Sequence, residues 1–229
     1  MNTVWSFGDS MTAVLNGLPE EPSPFRQWLG RDAKDTATFV AEEFGFESKN
    51  LALGGSSNTA IFHQFISQLK NIQSGDILIF GWTVIARYRI GVILNQSDKI
   101  ASWKTIWVQG LSNIPEYECV DGSYVTKEIA EQIILNRSEL GDLYGSEVNE
   151  WIDFINDWAK LKEVKVIHWS WCYSRFGYDQ KLKLTIPVIH HTDLTTETNG
   201  IIKDGHYGEK GHYELAQQII EYLEPTNKK

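Results

Sequence analysis

The chain has 229 residues, a formal net charge of −9 at pH 7, and 42% hydrophobic against 22% charged residues. That length suits one domain that buries about 70–75% of its unfolded surface and needs no disulfide or metal to fold. The acidic balance, with no block of Lys and Arg, excludes phosphate-backbone binding to nucleic acid and disfavours adsorption to anionic membranes.

Thr3 to Phe7 is aromatic and apolar, which predicts a buried strand, and it breaks into Gly8-Asp9-Ser10. Across residues 23–45, Phe25, Trp28 and Leu29, then Phe39, Val40 and Phe44, recur at three- and four-residue spacing and predict helix. Residues 49–53 predict a second strand. Residues 58–69 predict a helix with Ile61, Phe62, Phe65, Ile66 and Leu69 on one face. After a Ser74-Gly75-Asp76 turn, residues 77–80 form an apolar third strand. Residues 86–146 are less regular, with Trp103, Trp107, Tyr117, Tyr124 and Tyr144 among Gly, Asn, Ser and Pro. They read as an insertion folded over the strand-end rim, with some helix at 126–135, serving either as a structural flap or as a lid or substrate-binding wall. Residues 147–161 predict an amphipathic helix, 164–169 a fourth strand, 187–189 a short fifth, and 211–223 the closing helix.

This β-α-β-α-β order with continuous apolar strands argues for a parallel sheet covered by helices on both faces. The expectation is a single doubly wound α/β domain over residues 1–229, with the insertion at about 86–146. Sites in such sheets gather at the carboxyl ends of the strands. Ser10, Gly54-Gly55 and Gly81-Trp82-Thr83 each follow a predicted strand and so fall on one rim.

A serine hydroxyl is a poor nucleophile unless a base, usually His, takes its proton and a third group fixes that base. Of six His, His63 falls inside a helix and His168 inside a strand, where a satisfied core or edge role is simplest; His190 and His191 lie in a loop beside Asp193. His206 stands in the run from Lys203 to His212, KDGHYGEKGH, directly before the last helix. Asp204 precedes it by two residues, and side chains at i and i+2 of an extended segment share a face. The bland alternatives are a capping serine in a strand-to-helix turn for Ser10, a surface histidine for His206, and a helix N-terminal carboxylate for Asp204. The pairing of Ser10 with His206 favours the nucleophile reading.

FGDSMT, NLALGGSSN, FGWT and DGHYGEKGH, in that order from Phe7 to His212, resemble the four sequence blocks of the SGNH/GDSL hydrolase family. The resemblance implies a flavodoxin-like three-layer α/β/α sandwich with a central parallel sheet. It implies Ser10 as nucleophile, His206 as general base and then acid, and Asp204 as its orienting acid. It further implies oxyanion donation by the backbone N–H groups of Ser10 and Gly55. His206 and Gly211 keep the family's five-residue spacing. Two departures stand out. The family spaces its Asp three residues before the His, where this chain has Lys203. The third block usually carries an oxyanion Asn, where this chain has Thr83. The Thr83 hydroxyl, or the Asn58 amide just past Gly55, is left to donate in its place. Loss of one such donor typically costs about 3–4 kcal/mol, or 10²–10³-fold in rate. Trp82, Arg87 and Tyr88 follow the third strand and either line a substrate pocket or pack structurally.

No cofactor or metal is implied: the chain has no GxGxxG after a strand, no GxxxxGK and no HExxH. Cys119 and Cys172 form no CxxC pattern and read as two buried thiols. The N-terminal residues show no basic leader, and no apolar run is long enough for a bilayer, so the expected location is cytoplasmic, with virion-associated or otherwise exported delivery left open. The leading expectation is an esterase or deacylase whose partner is a small-molecule or glycan ester. The 12% aromatic content with nine Trp leans toward acylated carbohydrate such as O-acetyl sugars. Acyl transfer is a close variant of the same chemistry. The alternative, motivated by Thr83, is a weakened or inactive glycan-binding or structural module on the same fold.

Overall fold

The computed structural model describes residues 1–14, 23–83, 87–95, 100–107, 116–118, 124–126, 141–171, 182–186 and 206–224. Four strands form one parallel sheet: β1 (Thr3–Phe7), β2 (Glu47–Asn50), β3 (Ile77–Trp82) and, late in the chain, β8 (Lys165–Ser170). Their order across the sheet is β2-β1-β3-β8. β1 and β3 are buried along their whole length; β3 reads as an unbroken apolar run, and β1 sets Val4, Trp5 and Phe7 among the small buried Thr3 and Ser6.

Alternation along these strands sends two different side-chain sets to the two faces. Val4, Ile77, Ile79, Ile167 and Trp169 meet α2 (Thr36–Phe44) and the closing helix α5 (Glu209–Leu223) through Val40, Ala41, Leu215, Ala216 and Ile219. Trp5, Phe7, Leu78, Phe80 and Trp82 meet α3 (Asn58–Gln68) and α4 (Gly141–Lys162) through Ile61, Phe65, Ile152, Ile155 and Ala159. The result is the expected three-layer α/β/α sandwich. The second face is aromatic: Phe80 stacks between Phe7 (5.0 Å) and Trp82 (5.6 Å), with Phe65 edge-on at 5.4 Å. Such pairs add about 0.5–1.5 kcal/mol each beyond the area they bury.

Several local expectations change. The helix read over residues 23–45 is two helices, α1 (Pro24–Leu29) and α2. Gly30, at φ 73°, ends α1 with its N–H on the Arg26 carbonyl, and Asp35 starts α2 by accepting from the Thr38 N–H. The cap chemistry overrides the apolar spacing. The second strand begins two residues early and ends at Asn50, although Leu51 and Leu53 still donate to the Ser6 and Gly8 carbonyls (2.8 and 3.1 Å). The stretch read as irregular carries two antiparallel pairs: β4 (Arg87–Asn95) with β5 (Ile100–Trp107), and β6 (Glu116–Glu118) with β7 (Tyr124–Thr126). Thr126 closes β7, and the rest of the helix expected at 126–135 lies outside the described residues, as do the strand expected at 187–189 and both cysteines. Among the described residues no helix is long and apolar enough to cross a membrane.

Candidate active site

β1 ends at Phe7, and the chain turns at once. Thr12 and Ala13 both donate to the Asp9 carbonyl (3.0 and 2.9 Å), so Ser10 sits in a single helical turn at the carboxyl end of the central strand. Thr12 folds back between Gly8 and Gly81, and a Cβ on either glycine would collide with its hydroxyl. Those two glycines therefore let the Ser10 turn close against the end of β3. Ser10 itself is partly exposed, while Asp9, Met11 and Thr12 around it are buried.

The second block runs alongside. A Cβ placed on Gly54 would lie 3.9 Å from the Ser10 Cβ, so this turn faces the serine. Gly55 follows at φ 73°, a left-handed conformation that glycine adopts without cost. Ser57 then caps α3 by accepting from the Ala60 N–H. Asn50, at the head of the block, donates to the Thr12 carbonyl (2.9 Å) and to Asp35 Oδ2 (2.8 Å), tying the Ser10 turn to the start of α2.

His206, partly buried, precedes the last helix. Its neighbour Tyr207 is buried and stacks on Trp169 of β8 at 6.0 Å. Tyr207 and Met11, the neighbours of His206 and Ser10, belong to the same apolar cluster on one face of the sheet. Two further contacts fix the N-terminus of α5. Glu209 accepts both guanidinium nitrogens of Arg31 (2.6 and 2.7 Å) and the Lys34 N–H (2.8 Å). The hydrogen bonds from Arg31 hold the Glu209 carboxyl below its usual range. His212, wholly buried, packs against Thr36 Oγ1 (Nδ1 at 3.0 Å) and faces the Ala13 carbonyl. Burial lowers its pKa to about 4, against the opposing pull of Asp35 and of that carbonyl. Asp204, the expected orienting acid, lies outside the described residues.

Three groups at the end of β3 and the head of α3 depart from expectation. The Thr83 hydroxyl donates its one proton to Asp9 Oδ2 at 2.7 Å, so it is not directed at an oxyanion. The Asn58 amide is engaged at both ends by the Thr83 main chain: Nδ2 donates to the Thr83 carbonyl (2.9 Å) and Oδ1 accepts its N–H (2.8 Å). Asn58 is thus a main-chain clamp between α3 and the end of β3. Trp82 is fully buried, stacks on Phe80 and His168, and donates from Nε1 to His168 Nδ1 (3.1 Å), so it is core and has no face for substrate. The alternation of β3 turns it to the aromatic side of the sheet. Arg87 and Tyr88 open β4 opposite Trp107 and Ile106; their side chains are outside the described set.

His168 is the core histidine its strand position suggested, with Nε2 3.3 Å from Asn156 Oδ1 and burial lowering its pKa to about 3. His63 is an exposed residue of α3. Sequence reasoning missed Asp9 and Trp171. Asp9 was visible beside Ser10 within the first block. Trp171, just past β8, carried no signal; its Nε1 donates to Asp9 Oδ2 at 2.9 Å across 162 residues of sequence.

The structure is thus a parallel sheet between two helical layers, with the Gly-Asp-Ser turn and the glycine turn side by side at its carboxyl rim. No protein-family model matches the chain, and no curated protein matches it. Among solved structures it is similar to the Bacillus subtilis protein YXIM, at 15% identity and a TM-score of 0.50 over 99% of this chain, and it spans 57% of that protein's length. This likeness shows the shared fold. The solved structures it matches also include a protein described as a lipolytic member of the G-D-S-L family from Desulfitobacterium hafniense, at 11% identity and a TM-score of 0.32, over 97% of this chain and 100% of that one. A lipase/acylhydrolase from Enterococcus faecalis matches at 11% identity and a TM-score of 0.32, over 98% of this chain and 96% of that one.

Proposed function

We propose that the chain is a serine ester hydrolase. Ser10 Oγ attacks the ester carbonyl and passes its proton to His206. The N–H groups of Ser10 and Gly55 stabilise the oxyanion. His206 protonates the leaving alcohol, and a water molecule activated by the same imidazole releases the acid. Asp204 orients the imidazole in this scheme. The observation that carries the reading is the common anchorage of the two ends: Met11 beside Ser10 and Tyr207 beside His206 are buried in one cluster, with the Gly54 turn against Ser10. Three of the nine Trp that leaned toward sugar platforms, Trp5, Trp82 and Trp169, are spent in the core. The proposal therefore stands at the ester bond, with O-acetylated carbohydrate as the first natural ester to try.

The Thr83 contact with Asp9 favours a second reading, a module on this fold that binds and does not hydrolyse. One experiment separates the two. Wild-type protein should form a covalent adduct with an organophosphonate and hydrolyse p-nitrophenyl acetate. Ser10→Ala should lose both while melting at an unchanged temperature. No adduct in the wild type, or hydrolysis that persists in Ser10→Ala, overturns the hydrolase reading.

A further inference from the structure

Asp9 lies between the end of β1 and Ser10 and is completely buried. Among the described residues, its two carboxyl oxygens accept from donors in three parts of the chain. Met11 N–H donates to Oδ1 at 2.9 Å; Thr83 Oγ1 and Trp171 Nε1 donate to Oδ2 at 2.7 and 2.9 Å. Thr83 stands at the end of β3 and Trp171 just past β8. The Thr83 main chain is held in turn by Asn58 at the head of α3. One side chain therefore gathers the carboxyl ends of three strands onto the residue that precedes Ser10. A shift of the Asp9 main chain moves the Ser10 N–H and the Cα that carries its hydroxyl, because the two residues share a peptide plane.

We propose that Thr83 and Trp171 are positioning residues for the hydrolysis, acting through Asp9 to hold the Ser10 hydroxyl and N–H in register with the glycine turn at Gly54 and Gly55. Thr83 thus stands at the place of an oxyanion donor and does different work. The inference rests on the serine-hydrolase reading. A displacement of about 1 Å at a reacting centre can cost about 10²-fold in rate, so a brace of this kind acts on kcat and leaves substrate affinity alone.

The test compares kcat and KM for p-nitrophenyl acetate, and the rate of organophosphonate labelling of Ser10, in Thr83→Val, Thr83→Ser, Trp171→Phe and the Thr83→Val/Trp171→Phe pair. Thr83→Val removes the hydroxyl with little change of volume and Trp171→Phe keeps an aromatic ring; kcat is taken per folded molecule, with the melting temperature of each variant measured alongside. Each single variant should lower kcat and the labelling rate on the order of 10–100-fold with KM within about twofold. Thr83→Ser, which keeps the hydroxyl, should restore wild-type kcat. The double variant should lose little more than the worse single one, because both donors act through one carboxylate. Losses that multiply in the double variant, or a Trp171→Phe enzyme with wild-type kcat, overturn the positioning role and leave the hydrolase reading standing. Wild-type protein that takes up no phosphonate overturns the hydrolase reading and this inference with it.

Discussion

Two buried carboxylates bind the sheet at its opposite rims with nearly the same chemistry. Asp76, at the amino rim, accepts from the Thr3 N–H (2.8 Å), the Trp5 indole (2.9 Å) and the Gln73 N–H (3.0 Å). Asp9, at the carboxyl rim, accepts from the Met11 N–H, the Trp171 indole and the Thr83 hydroxyl. Each collects a main-chain donor, an indole and one donor more, and each joins β1 to the β3 segment. The difference lies in what comes next along the chain. Asp76 leads into β3 and ties strand starts together. Asp9 leads into Ser10. The same device is a staple at one end of the sheet and a mount for a candidate nucleophile at the other. The hydrogen bonds do not distinguish the two roles; their place in a parallel sheet does, because the strand ends that face a ligand are the carboxyl ends.

This contrast can be broken most sharply at Asp9. Asp9→Asn keeps one acceptor oxygen but turns amide protons toward at least one donor, the Met11 N–H when the oxygen takes the Oδ2 place, and kcat should fall about 10²-fold or more, with a lowered melting temperature as well. Asp76→Asn makes the same change at the other rim. It should cost about 1–3 kcal/mol for each donor left unsatisfied, read by urea denaturation, while kcat per folded molecule stays at the wild-type value. If Asp76→Asn lowers kcat as much as Asp9→Asn does, the two rims are not functionally distinct.

The two buried histidines sharpen the comparison through pH. His168 and His212 have folded values of about 3 and about 4, both lowered chiefly by burial, against about 6.5 unfolded. The unfolded chain therefore binds the additional protons. Stability is present in full above about pH 6.5 and is lost as pH falls toward 4 for His212 and 3 for His168, by up to about 1.4 kcal/mol per pH unit per histidine. Urea midpoints between pH 7 and pH 4.5 should drop along that slope. A flat profile would show that these imidazoles take up protons as readily in the fold as in the unfolded chain.

The smallest effect is expected at Arg31, whose exposed guanidinium pairs with Glu209 at the head of α5. Arg31→Gln should lower the melting temperature slightly at low salt, and the difference should shrink in high salt because exposed pairs are screened. A large loss of kcat there would mean that the α5 clamp, and with it the His206 loop, contributes to the site more directly than the carboxyl-rim brace.

Much of the architecture was legible from residue order. β1, β3 and β8 lie between two helical layers, and a strand buried on both faces is predominantly apolar, most completely in β3, so it announces itself. The break between α1 and α2 was also written locally, in Gly30 and Asp35, but cap signals are short and the apolar spacing runs past them. The pairing of β4 with β5 was not legible, because an antiparallel partner is chosen by contacts between segments and not by either segment alone. At the site, the motif blocks pointed to Ser10, Gly55 and His206. They also pointed to Thr83 and Asn58 as donors, and there the fold assigns both groups elsewhere.

The sequence alone determined the layer order, the rim on which the Ser10 and glycine turns fall and the residue types available there, because periodicity and spacing are properties of the chain read in one dimension. Only the tertiary structure decided where each hydrogen goes. Thr83 and Trp171 lie 74 and 162 positions from Asp9, and no local preference can bring either of them to that carboxylate. Packing of both sheet faces fixes the strand ends side by side, and the buried acceptor then takes whichever donors the register presents, since an unpaired polar group there would cost too much to leave.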